Sequence, residues 1–128
     1  MTKVLFICFG GALGALLRYM VTGASHKVLP GIFPWGTLIV NLIGCFCIGF
    51  LWRLTETFSF SHNIRLFIFI GLLGSFTTFS TYGLECFQFL RDGQIRFFLF
   101  NILLNNILGI CFVVAGVMGA GSIIKIFH

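Results

Sequence analysis

The sequence predicts an all-α membrane protein of four transmembrane helices, the third broken at its centre. Three observations carry that expectation. First, 59% of the 128 residues are hydrophobic and 9% are charged, with a mean hydropathy of +1.09. A soluble domain carries roughly 25% charged residues. Second, a span needs about 20 mostly apolar residues, and four such stretches with short connections use the whole chain. A single four-helix transmembrane domain is expected, with no soluble domain beside it. Third, the hydroxyl residues Ser75, Thr77, Thr78, Ser80 and Thr81 interrupt the third apolar stretch at membrane depth. Strands are a poor alternative, because the apolar runs are too long and do not alternate as barrel strands do.

The first span is expected over residues 4–20, with Arg18 near its end. No cleavable signal peptide is expected, since the stretch lacks a small-residue cleavage site and runs into Arg18 and Tyr19. A polar loop with Gly and Pro follows from Thr22 to Pro34. The second span covers 35–52 and stops at Arg53. A loop with Glu56 and His62 leads to the third span, 64–90. Arg91, Asp92, Gly93 and Arg96 mark a turn, and the fourth span covers 97–124. Its uncharged stretch exceeds what a ~30 Å hydrocarbon core requires, so tilt or protrusion is expected.

A net charge of +5 in a soluble protein would suggest nucleic acid. Here the bases sit at span ends, where they set topology, and no nucleic-acid partner is expected. Four spans place both termini on one side, with Lys3, Arg53, Arg65 and Lys125. The opposite side holds Arg18, Lys27, Arg91 and Arg96. Four bases against four leave the positive-inside rule without a preference. Such a chain is free to insert both ways, and a dimer of the two forms would be antiparallel. The alternative is that one local cluster dominates and the balance is accidental.

Glycines recur at Gly10, Gly11, Gly14, Gly44, Gly49, Gly109, Gly116, Gly119 and Gly121. Small residues let helices approach closely in lipid, and tight packing is the reading for most of these. Cys8, Cys45, Cys47, Cys86 and Cys111 form no Cys-x-x-Cys pair and read as small apolar side chains. His26, His62 and His128 are loop or terminal residues without metal-ligand spacing.

Several polar residues need partners in lipid. Irregular backbone at that depth is tolerated only when buried in protein or lining a watery cavity, so the hydroxyl run marks a polar pathway or an ion site. Arg18 is either a functional group or a side chain snorkelling to the interface. Asparagine in lipid usually bonds another helix, worth about 0.6 to 2 kcal/mol; that reading is strong for one of Asn105 and Asn106. Asn41 has no local partner in sequence and suits a pore. Glu85, one turn past the hydroxyl run, is the only acid well inside a span and can cap freed backbone, pair with a base or relay protons. Phe79 and Tyr82, three residues apart, would share a face if helix resumes there. An aromatic ring has a positive edge, which can meet a small anion. No catalytic constellation, metal box or phosphate loop is present, so no enzyme is expected.

Three motifs occur in order. The first runs from Gly10 to Tyr19, reading GGALGALLRY. The second runs from Pro34 to Gly44, reading PWGTLIVNLIG. The third runs from Gly71 to Tyr82, reading GLLGSFTTFSTY. On a four-span chain of this size they resemble the CrcB/Fluc family of fluoride channels, and the resemblance covers nearly the whole chain. The Thr-Thr-Phe-Ser-Thr core is its specific part. The resemblance implies an antiparallel, dual-topology homodimer with two fluoride pores at the subunit interface. It implies a fluoride pathway past Asn41, Phe79, Ser80, Thr81, Tyr82 and Asn106, with Arg18 near the vestibule. It also implies a structural Na+ on the two-fold axis, held by the backbone carbonyls of Gly74 and Thr77. Hard cations take oxygen ligands, and unwound carbonyls supply them without a buried carboxylate.

The chain departs from the family pattern at three places. Tyr82 stands for the second pore phenylalanine, Ser75 for the second glycine of a pair, and Ile110 and Val114 for hydroxyl residues of some relatives. The activity implied is passive export of cytoplasmic fluoride across a bacterial cell inner membrane by a multi-pass protein. Two other classes compete. A four-span multidrug/proton antiporter would need an acid in the first span, which has none. A structural subunit of a membrane complex would leave the hydroxyl run without purpose.

Overall fold

The computed structural model describes residues 1–127, and His128 lies outside them. The described residues are helical, without strands. Four helices are long and apolar enough to cross a membrane: Thr2–Val28, Trp35–Thr57, His62–Arg91 and Ile95–Ile126. They are called spans one to four below.

Span one continues through most of the segment expected as a loop. The loop is expected from a polar stretch with Gly and Pro, and two of its hydroxyl residues are satisfied along the helix instead. Thr22 Oγ1 donates to the Arg18 carbonyl at 2.8 Å, and Ser25 Oγ donates to the Val21 carbonyl at 2.7 Å. Such back-bonding lets Ser and Thr sit inside a helix. Arg18 therefore lies well inside the helix, nearly three turns before its end. The remaining connection is pinned by Phe33. That ring is buried and packs on Trp35 at 4.7 Å and against Phe97 and Phe100 of span four.

Glycines set the helix crossings. A Cβ on Gly71 of span three would lie 2.8 Å from the Ile7 carbonyl oxygen and 2.9 Å from the Gly10 Cα of span one. Gly10 and Gly14 in turn face the backbone of Phe67 and Leu72. Gly49 of span two meets the Val113 carbonyl, and Gly116 of span four meets the Phe46 carbonyl. Span one thus rests on span three, and span two on span four, each at backbone contact. Gly93, at φ +69°, makes the turn between spans three and four. All five cysteines are free.

Two stretches are wound with the wider π-helical turn, Leu66–Leu73 in span three and Leu104–Leu108 in span four. Such turns often occur at functional sites. Both end beside the polar centre of the molecule. At that centre Thr77 has φ −82° and ψ 162°, and Thr78 has φ −148° and ψ 118°. These are extended conformations, lying between the helical segments Gly74–Phe76 and Phe79–Arg91.

Lys3, Arg53, Arg65, Lys125 and Glu56 lie toward one end of the bundle, and Lys27, Arg91, Arg96 and Asp92 toward the other, with Arg18 set deeper along span one. Both acids pair with an exposed arginine: Arg53 reaches Glu56 at 2.9 Å and Arg91 reaches Asp92 at 2.8 Å. The hydrogen bond from Arg91 holds the Asp92 carboxyl below the usual carboxylate range.

Candidate functional site

The extended pair Thr77 and Thr78 changes the backbone accounting at mid-membrane. In an uninterrupted helix the Thr78 N–H would donate to the Gly74 carbonyl. Instead it donates to Asn41 Oδ1 of span two at 2.9 Å. The Thr81 N–H would donate to the Thr77 carbonyl. Instead it donates to Thr78 Oγ1 at 3.2 Å, so Thr78 caps the following helix. Gly74 and Thr77 are therefore carbonyls whose ordinary donors are engaged elsewhere.

Asn41 closes the arrangement. Its Nδ2 donates to the Thr78 carbonyl at 3.2 Å and to Asn105 Oδ1 at 3.0 Å. Both amide hydrogens and the amide oxygen are thus engaged, two of the three bonds with the Thr78 peptide groups. Asn105 passes the network on to Asn101, donating to its Oδ1 at 2.8 Å. Asn101 is fully buried and donates to Cys86 Sγ at 3.5 Å. One polar chain thus ties spans two, three and four together. Asn105 is the member of the asparagine pair that joins span two.

Asn106 faces a different neighbour. Its Nδ2 donates to Tyr82 Oη at 3.0 Å and to the Ile102 carbonyl at 2.8 Å. Tyr82 is only 9% exposed, whereas Phe79 is 82% exposed in the protomer. Their ring centroids are 5.6 Å apart with a 59° tilt. Asn105 and Asn106 lie in the π-helical stretch Leu104–Leu108, and both line one cleft.

That cleft has a volume of about 310 Å³. Asn41, Gly74, Thr77, Phe79, Tyr82 and Asn106 all border it, so six of the nine residues singled out in the sequence converge there. A second cavity of about 450 Å³ opens toward the Arg18 end. Arg18, Thr22, His26, Thr37, Thr81 and Glu85 border it, and Thr78 borders both. Ser80 is exposed and borders neither. Glu85 accepts a hydrogen bond from the Thr37 hydroxyl through Oε1. Its Oε2 is buried without a partner among the described residues. Among those residues no group of three His, Cys, Asp or Glu side chains comes together.

Sequence reasoning passed over Thr37 and Asn101 as members of the site, and placed Thr78 only within the hydroxyl run and Asn105 only as one of a pair. Two of these were within reach. Thr37 precedes Asn41 by one helical turn, and Asn101 precedes Asn105 by one turn, so each pair shares a helix face.

Fold and site together define a four-span helical membrane protein whose amides, hydroxyls and two aromatic rings gather around a small cleft at membrane depth. Residues 5–117 match the family described as CrcB-like protein, Camphor Resistance (CrcB), and the chain belongs to that family. It is 50% identical over 116 residues to a fluoride-specific ion channel FluC of Salinibacter ruber, covering 91% of this chain and 87% of that protein. It is 42% identical over 124 residues to a fluoride-specific ion channel FluC of Parabacteroides distasonis, covering 97% of each. A fluoride-specific ion channel FluC of Dehalococcoides mccartyi is 42% identical over 129 residues, covering 98% of this chain and 96% of its own.

Proposed function

We propose that this protein is a fluoride-selective channel that passively exports cytoplasmic fluoride and so limits its toxicity. The observation that carries the reading is the convergence of Phe79, Tyr82, Asn41 and Asn106 on one cleft at the interrupted centre of span three. The named relatives, similar over nearly their whole length, support the choice of ion. Hydrogen fluoride crosses the membrane as a neutral acid, dissociates in the cytoplasm and leaves through the pore as the anion. The electropositive ring edges of Phe79 and Tyr82 suit a small anion without directional demand. Arg18 and the hydroxyl of Thr81 border the mouth, and Asn41 holds the Thr78 peptide in place. Ser80 belongs to the same hydroxyl run, and its exposed side chain would contribute only where a second subunit covers it.

The working unit is an antiparallel, dual-topology homodimer in a bacterial inner membrane. Support comes from the near balance of charge, with four bases and one acid toward one end and three bases and one acid toward the other, Arg18 lying deeper on that second side. Phe79 is a pathway residue left almost bare in one protomer, as expected for a site that a second subunit completes. In this reading the extended Thr77–Thr78 pair is the break of the third helix. The Gly74 and Thr77 carbonyls, relieved of their helical donors, fit a structural Na+ on the dimer axis. Two neutral oxygens from each subunit would hold the ion and supply a fixed positive charge between the subunits. An antiporter reading is not favoured, because span one carries Arg18 and no acid.

The test is fluoride efflux from proteoliposomes, measured beside chloride. The wild-type protein should release fluoride and retain chloride. Phe79→Ile should cut fluoride release while the dimer remains folded. Equal release of both anions, or full fluoride flux in a well-folded Phe79→Ile protein, would refute the assignment.

A further inference from the structure

We infer that the Tyr82 hydroxyl is a direct hydrogen-bond donor to the permeating anion, held in that role by Asn106. The inference rests on the channel reading above and assigns a specificity-determining group within it. A tyrosine hydroxyl has one proton to donate and two lone pairs that accept. In this chain one lone pair is taken by Asn106 Nδ2 at 3.0 Å. The other Asn106 amide hydrogen is committed to the Ile102 carbonyl at 2.8 Å, which fixes the amide's orientation. Asn106 can therefore approach the hydroxyl only as a donor. The phenolic proton must point elsewhere, and the group beside it is Cys86, one turn along the same helix, whose sulfur is only a weak acceptor.

The geometry says where that proton is useful. Tyr82 is 9% exposed and borders the cleft of about 310 Å³ shared with Phe79 and Asn106. A buried hydroxyl donor whose alternative acceptor is a weak thiol sulfur is poorly satisfied, and an anion would offer it a far better partner. Hydrogen bonds to ionised acceptors are shorter and about twice as strong as neutral ones. The Asn106 N–H donated to Oη also polarises the O–H, since hydrogen bonds in a chain reinforce each other. A small anion gains more than a large one, because its charge lies closer to the proton. The ring edge of Phe79 offers no such directional donor, so the two aromatic residues do different work on the same ion.

Purified full-length protein in proteoliposomes provides the test, with the initial rate of fluoride release read against internal fluoride concentration. Tyr82→Phe removes the donor and keeps the ring. It should raise the half-saturating fluoride concentration about tenfold or more, while dimer size in detergent stays unchanged. Site-specific replacement of Tyr82 by monofluorotyrosine, a stronger donor of nearly the same size, should lower that concentration below wild type. A purely structural hydroxyl would not produce this opposite pair of shifts. Unchanged half-saturation in Tyr82→Phe, with the wild type conducting, overturns this inference alone. If Tyr82→Phe fails to fold, unchanged half-saturation in the fluorotyrosine protein overturns it. A wild-type protein that carries no fluoride overturns the channel reading and this inference with it.

Discussion

Replacing Asn41 by leucine should destabilise the folded protein far more than the loss of one polar side chain suggests. The two residues are similar in size, so little cavity is created and the lost hydrogen bonds dominate. Three bonds disappear: to the Thr78 N–H at 2.9 Å, to the Thr78 carbonyl at 3.2 Å and to Asn105 Oδ1 at 3.0 Å. Hydrogen bonds between membrane helices average about 0.6 kcal/mol and reach about 1.7. Three of them sum to about 2 to 5 kcal/mol. The upper half of that range is the better expectation, because Thr78 is buried and its peptide groups have no alternative in lipid. Asn106→Leu is the internal control. It loses one bond to Tyr82 and one to a carbonyl of its own helix, and so should cost about 1 kcal/mol. Unfolding by titrating a denaturing detergent into mild micelles can be followed by tryptophan fluorescence, since Trp35 and Trp52 both sit on span two. Asn41→Leu should unfold at least about 1 kcal/mol earlier than Asn106→Leu. An Asn41→Leu protein within about 0.5 kcal/mol of wild type would refute the assignment of Asn41 as the keystone of the Thr78 backbone.

Three further outcomes follow from the packing and charge. Gly49→Ala should destabilise by about 1 to 3 kcal/mol, because its Cβ would collide with the Val113 carbonyl at the crossing of spans two and four. Gly23→Ala should not, since nothing lies within 4 Å of that position, and the same unfolding titration compares the two. At Gly74 a new Cβ meets nothing within the protomer closer than the Phe69 carbonyl oxygen at 3.5 Å. Gly74→Val should therefore leave the monomer folded yet weaken the dimer and its response to sodium, whereas Thr77→Ser should be neutral; size-exclusion profiles in sodium and in potassium decide this. Cysteine labelling in cells should find the Lys27 connection on both membrane faces. Two lysines added beside Ile64 should force one orientation and abolish fluoride export when that protein is expressed alone.

Much of this molecule is legible without coordinates, because hydropathy is a local, additive property. Four apolar runs specify four spans wherever they end up packing, and the count of bases at their ends needs no contact map. The glycine positions likewise announce close helix approach, and the hydroxyl run announces backbone trouble at membrane depth. Even the residues that share the cleft were mostly visible, since Phe79 and Tyr82 lie on one helical face and Asn41 is a lone amide in lipid.

What tertiary structure decided is the pairing of donors with acceptors. Thr22 and Ser25 read as loop residues in sequence, yet back-bonding to Arg18 and Val21 extends span one to Val28. Asn105 and Asn106 are equivalent in sequence, but the packing of spans two and three against span four gives one to Asn41 and the other to Tyr82. Asn41 is expected beside the pore from sequence; that its amide group bonds Thr78 and Asn105 at the border of the cleft is visible only in the fold. Thr37 gains meaning only because span two brings it to Glu85, 48 residues along the chain. A hydrogen bond is short and directional, so its partner depends on helix crossings set to within an ångström. Those crossings arise from glycines meeting backbone on another span, a relation between distant residues that no local pattern contains.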